Sequence, residues 1–142
     1  MTDPLPAADT PFGARVARRL QEELVIWYTS AGRDGTPQPN PVWFLWENGA
    51  FLVYNRASAG RTLHARQRDR VALHFDSDRN GDDIVVFTGI AEPAPDAPPP
   101  HLHAAYVAKY GDAMRRVSGG LEEFARAYPA AVRVRPDRVR GH

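Results

Sequence analysis

Hydrophobic and polar positions follow two periods along this chain, and the changes of period mark its elements. Over residues 13–23 the spacing is helical: Val16, Leu20 and Leu24 form one stripe, with Arg15, Arg18, Arg19 and Glu22 opposite. The period then shortens to two. Residues 24–31 predict a strand with Leu24, Ile26 and Tyr28 on one face and Val25 and Trp27 on the other, so both faces are expected to be covered. A second strand starts near Thr36, but Pro37, Pro39 and Pro41 lack a backbone donor, which confines that part to an edge or bulge. Ladder pairing is expected to resume from Val42 through Trp46. Residues 50–54 form a third strand, and the Asn48-Gly49 pair between the two signals a tight hairpin with positive φ at both central positions.

Beyond the hairpin the pattern predicts a short basic helix near residues 62–70, then strands over 71–76 and 84–91 joined by a polar turn rich in aspartate. Gly89 falls inside the second of these, where it marks a bulge or a close approach of backbone. Residues 92–100 hold five prolines in nine positions and exclude regular structure. A helix is expected over 101–117, with Leu102, Tyr106, Tyr110, Met114 and Val117 buried. A shorter one follows Gly119-Gly120, its inner face Leu121, Phe124, Ala125 and Tyr128. A closing strand over 131–134 and a basic tail over 136–142 complete the chain. Five strands plus the closing one, mostly joined by short turns, point to a six-stranded antiparallel barrel with peripheral helices, since closure removes exposed sheet edges.

Composition bounds the function. At 142 residues the chain reads as a single domain with a flexible tail over 1–11. Eighteen basic against seventeen acidic side chains leave a net charge of +1, which gives no general electrostatic pull toward nucleic acid or an anionic membrane. The absence of cysteine excludes disulfides, thiolate catalysis and cysteine zinc sites. The first residues have no signal-peptide character and no apolar run reaches membrane-spanning length, so the expected location is the cytoplasm.

Chemistry concentrates after the hairpin. Asn55, Arg56, Ser58, Gly60, Arg61 and Thr62 follow Tyr54 directly: small residues that admit close approach, a helix opening, and two guanidiniums flanking it. That is the make-up of an anion clamp, although arginines on a loop and helix start also serve simply as a solvated face. Trp43 lies opposite Phe44 and Trp46 on its strand, so one of those faces borders either the core or a flat ligand. Trp27 carries the same ambiguity. His64, a turn beyond Arg61, reads as structural or as a phosphate contact. His101 and His103 diverge on a helix and make a poor metal pair. No serine sits in an acyl-transfer elbow.

In their order and spacing, Pro41-Val42-Trp43-Phe44, Asn48-Gly49, Ser58-Ala59-Gly60-Arg61 and Arg70-Val71-Ala72-Leu73 resemble the pyridoxamine-phosphate-oxidase-like split β-barrel family, most closely its deazaflavin (F420)-dependent branch. The resemblance implies an α+β split barrel and a homodimer with coenzyme at the interface. It implies F420 as the coenzyme, with FMN the alternative. The ring system would lie along Asn40, Pro41, Val42 and Trp43, and the phosphate on Arg56, Ala57, Ser58, Arg61 and Thr62, with His64 beside it. The activity implied is a coenzyme-borne hydride transfer to a conjugated small molecule, for which the protein needs no acid–base residue. Arg66, Arg68 and Arg70 would suit a groove for a polyglutamate tail, or a solvated helix face. A carrier of flavin, deazaflavin or haem is the non-catalytic alternative.

Overall fold

The computed structural model describes residues 3–142. Helix α1 (Pro11–Glu22) opens on Thr10, whose hydroxyl accepts a hydrogen bond from the Gly13 N–H, and Pro11 occupies the first turn, where no N–H is needed. Strands follow as β1 (Ile26–Ser30), β2 (Gln38–Val42), β3 (Leu45–Glu47) and β4 (Ala50–Asn55). After α2 (Gly60–Arg66) come β5 (Arg70–His74) and β6 (Val85–Pro93), then a 3₁₀ turn (Pro100–Leu102), α3 (Ala104–Ser118), α4 (Leu121–Ala127) and β7 (Ala130–Gly141). All pairings are antiparallel, in the order β2-β1-β5-β6-β7-β4-β3.

The two edge strands of that sheet, β2 and β3, are neighbours in sequence, separated only by Trp43 and Phe44. A sheet whose far edges are two residues apart must curl until they meet. The result is a barrel left open along one seam, with seven strands where the hydrophobic pattern counts six. The second expected strand is in fact two: Gln38–Val42 pairs with β1, whereas Leu45–Glu47 pairs with β4. The proline-bearing half does lie at an edge, as residues lacking N–H donors require.

Tyr110 on α3 holds the seam. Its hydroxyl accepts from the Phe44 N–H (3.0 Å) and lies 2.9 Å from the Phe44 carbonyl and 2.7 Å from the Leu24 carbonyl. Lys109 donates to the same Phe44 carbonyl at 2.8 Å, its ammonium 3.9 Å from the Phe44 ring centroid, and burial pulls its pKa down to about 8. Tyr110→Phe leaves the buried Phe44 N–H without a partner. It should lower unfolding free energy by about 1–3 kcal/mol, read from urea denaturation followed by circular dichroism. A loss within error would show that water replaces the hydroxyl.

Two packed clusters result. Inside the barrel, Phe44, Phe51, Phe75 and Phe87 meet edge to face or tilted, with Val16 and Leu20 of α1 closing one end. Outside it, Leu45, Leu52 and Tyr54 pack against Tyr106, Tyr110 and Met114 of α3 and Phe124 of α4.

Several expectations change here. Arg19, placed by periodicity on the polar stripe, is buried over the Phe75 ring and donates to the Asp76 and Asp83 carbonyls and to Glu23. Leu24, Leu102 and Val117 are exposed, because α3 begins at Ala104 and β1 only at Ile26. Leu5 packs against the barrel core, so the N-terminal segment is not simply a free tail. The basic tail is instead the second half of β7, which pairs along β6 as far as Gly141. Pro136 fits within it because the register shifts between Thr88 and Gly89, the bulge that the lone glycine marks. A Cβ on Gly89 would collide with the Arg135 carbonyl. The hairpin turn is as expected, with φ of 52° at Asn48 and 73° at Gly49. No helix among the described residues is long and apolar enough to cross a membrane.

Candidate functional site

The site begins at Asn55, the last residue of β4, whose side chain is wholly buried. Its amide nitrogen lies 3.2 Å from the Val53 carbonyl and 3.4 Å from the Ala130 carbonyl, which leaves the side-chain oxygen to accept from Arg61 Nε at 2.9 Å. One buried carboxamide therefore ties β4 and β7 to the guanidinium at the start of α2. Burial lowers the Arg61 pKa, yet a guanidinium remains charged at neutral pH. The hydroxyl of Tyr28, on β1, is buried without a hydrogen-bond partner and lies within electrostatic reach of Arg61.

Between Asn55 and α2 the chain makes a tight loop. The Arg56 carbonyl accepts from the Ala59 N–H (3.1 Å) and the Thr62 hydroxyl (2.9 Å). No side chain caps α2, so its opening N–H groups face outward from the loop unpaired within the helix. The Arg56 guanidinium lies 4.9 Å from the Tyr128 ring centroid, with Nη2 3.4 Å from the phenol oxygen. Among the described residues, neither Arg56 nor Arg61 has a carboxylate within ion-pair distance. Arg68 and Arg70 differ: they pair with Glu92 at 2.7 Å and Asp137 at 2.9 Å.

Both unpaired guanidiniums line a cavity of about 390 Å³. Pro41, Val42 and Trp43 supply one wall, Tyr54 and Ala59 another, and α3 and α4 bring Tyr106, Phe124 and Tyr128. Trp43 is stacked between Tyr110 (4.9 Å, 5° between planes) and Phe124 (5.5 Å, 10°). Burial raises the pKa values of Tyr106 and Tyr110, and pushes Tyr54 up to about 12 with Glu47 adding to the effect. These phenols stay neutral at physiological pH and can donate hydrogen bonds, but they are not bases.

Of the residues singled out from sequence, Pro41, Val42, Trp43, Arg56 and Arg61 meet at this cavity. Asn40 stands beside them on β2, half-buried, its carboxamide 3.4 Å from the Gln38 carbonyl. Ala57 and Ser58 are exposed on the loop. Thr62 is buried and its hydroxyl is taken by the Arg56 carbonyl. His64 turns toward β1, with Nδ1 2.9 Å from Ser30 Oγ and its ring against Gly32. Trp27 stacks on His74 and donates to Asp76, while Trp46 packs on Phe51. Sequence reasoning missed Asn55 as an anchor and the tyrosines of α3 and α4 as a ligand wall. Their spacing reads as core, and only the packing of both helices over the seam shows the other side.

A family model described as pyridoxamine 5'-phosphate oxidase matches residues 12–142. No curated protein matches the chain. Among solved structures, it is similar to an F420 reductase (19% identity, TM-score 0.65, covering 87% of this chain and 94% of that one). It is similar also to a conserved hypothetical protein from Mycobacterium tuberculosis (18% identity, TM-score 0.68, 99% and 87% covered). A third is HutZ, the haem storage protein of Vibrio cholerae (14% identity, TM-score 0.63, 93% and 95% covered). At such identities the likeness is one of fold.

Proposed function

We propose, from the premise that this chain belongs to the pyridoxamine 5'-phosphate oxidase family, that it is an oxidoreductase using F420 to reduce a conjugated small molecule. The observation that carries the reading is the pair of guanidiniums, Arg56 and Arg61, without carboxylate partners at the rim of an aromatic cavity. The donor set fits a phosphate-bearing planar coenzyme: two cations and the opening N–H groups of α2 for the phosphate, and proline and aromatic faces for the ring. When bound, that coenzyme supplies the hydride chemistry. The chain's own part is to hold the anion through Arg61, fixed by Asn55. It also presents neutral phenols that exclude water without competing as bases.

At about 390 Å³ the cavity lies near the lower end of ligand-site volumes, which suits completion by a second protomer of a homodimer. The F420 reductase of like fold supports the deazaflavin. FMN is the second reading, favoured by the pairing of Arg68 and Arg70, which removes charge from the path of a polyglutamate tail. A haem carrier gains less support, since no histidine lines the cavity.

Parallel titrations of F420 and FMN into the purified chain separate these. Binding of F420 in preference to FMN, with oxidation of its reduced form when a quinone is added, is the expected result. Preference for FMN moves the protein to the flavin reading. Tight F420 binding without turnover leaves a carrier. Failure to bind either coenzyme overturns the proposal.

A further inference from the structure

A larger cavity, about 600 Å³, lies on the other side of Tyr54, between the proline-rich segment, α4 and the start of β7. Its volume is typical of a small-molecule site. The wall is unusual in chemistry. Pro93, Pro95, Pro98, Pro99, Pro100 and Pro129 carry no N–H, so they offer no backbone donor.

The carbonyls of that wall are spent as well. Pro98 accepts from the Tyr54 hydroxyl at 2.6 Å, Pro99 from the Leu102 N–H at 2.9 Å, and Ala94 from the Ala97 N–H at 3.1 Å. Across the cavity mouth, the Ala131 carbonyl accepts from Ala94 at 2.9 Å. What faces inward is therefore apolar and stiff, since fixed φ angles leave the segment little freedom to collapse.

Few polar groups remain for a ligand. Glu122 and Arg126 are occupied with each other and with Glu123. Thr62 has given its hydroxyl to Arg56. Arg66 has no carboxylate within ion-pair distance among the described residues. His101 lines the cavity too, and its Nδ1 is buried with no hydrogen-bond partner, a state that buried polar atoms rarely keep.

We infer that this cavity is a binding site for an aromatic carboxylate, its ring on the proline and Tyr54 faces and its charge toward Arg66 and His101. The site is distinct from the coenzyme cavity, shares only the Tyr54 wall with it, and does not depend on the identity of the coenzyme. A sugar or other polyhydroxylated ligand would strand its hydroxyls against donor-free prolines. A neutral aromatic would leave the cation and the ring nitrogen unmet.

The test is calorimetric titration of naphthalene-2-carboxylate into the full chain without coenzyme. Its methyl ester serves as the neutral probe. Saturable binding of the acid is expected, with the ester weaker by at least about tenfold. Arg66→Gln should weaken the acid by a similar factor. Ala125→Trp, which fills the cavity from α4, should abolish binding, and Arg61→Ala should leave it unchanged. Absence of binding by the wild-type chain overturns the inference. So does equal affinity for acid and ester, or an unchanged affinity in Arg66→Gln. Arg66 is exposed, so that variant keeps the test decisive even where Ala125→Trp fails to fold.

Discussion

Arg61→Ala lowers the affinity for the phosphate-bearing coenzyme by about 2–3 kcal/mol, roughly 30- to 150-fold. The size follows from what is removed. A charged hydrogen bond to a phosphate is lost, and so is the half-buried guanidinium that Asn55 pre-positions through Nε. The fold should survive, because Arg61 makes no ion pair and its one side-chain hydrogen bond ends on Asn55, which retains two backbone partners. Arg61→Lys should recover part of the loss, keeping the charge without the fixed planar fork. Arg68→Ala is the control, since Arg68 already pairs with Glu92. Fluorescence titration of each variant with F420 and FMN reads these constants. An unchanged constant in Arg61→Ala would remove the residue from the site and with it the assignment of the cavity.

The contrast between Arg61 and Arg68 also shows how far the sequence reaches. Both are arginines near one short helix, and nothing local separates them. Only the fold brings Glu92 of β6 to Arg68 and leaves Arg61 without a carboxylate. Features set by nearby chemistry were legible: the Asn48-Gly49 turn, the Gly89 bulge and the edge position of the prolines in β2. Features set by distant partners were not. Residues 36–46 read as one strand because alternation runs through Val42, Trp43 and Phe44. Tyr110 and Lys109, more than sixty residues away, capture the Phe44 backbone and hand the chain from one sheet edge to the other. The second half of β7 reads as a basic tail for a related reason. Its outward positions are arginines, and its pairing with β6 depends on a bulge in the partner strand. For the site, the arginines and the Pro41–Trp43 wall could be found from local order, whereas the tyrosine wall is a property of helix packing.

Phe51→Ala carries the largest expected effect on stability, a loss of about 3–5 kcal/mol and of about 10 °C or more in Tm. Phe51 is fully buried on β4, and its ring centroid lies 4.8 Å from Trp46, 4.9 Å from Phe87 and 5.7 Å from Phe44. Those neighbours stand on β3, β6 and the seam, each held by ladders or by Tyr110, so they cannot move inward to refill the space. The cost should fall at the upper part of the range for that reason. Phe51→Leu should restore more than half of it, keeping most of the volume but not the edge-to-face contacts. Urea denaturation of the three proteins gives the ordering. A loss below about 1.5 kcal/mol in Phe51→Ala would mean that the barrel interior relaxes around the gap. In that case the seam at Trp43 and Phe44 would shift with it. The coenzyme cavity, which shares Trp43, should then lose affinity in Phe51→Ala although no removed atom touches it. With a rigid interior, the folded fraction of Phe51→Ala binds as the wild type does, and stability and affinity separate cleanly between Phe51 and Arg61.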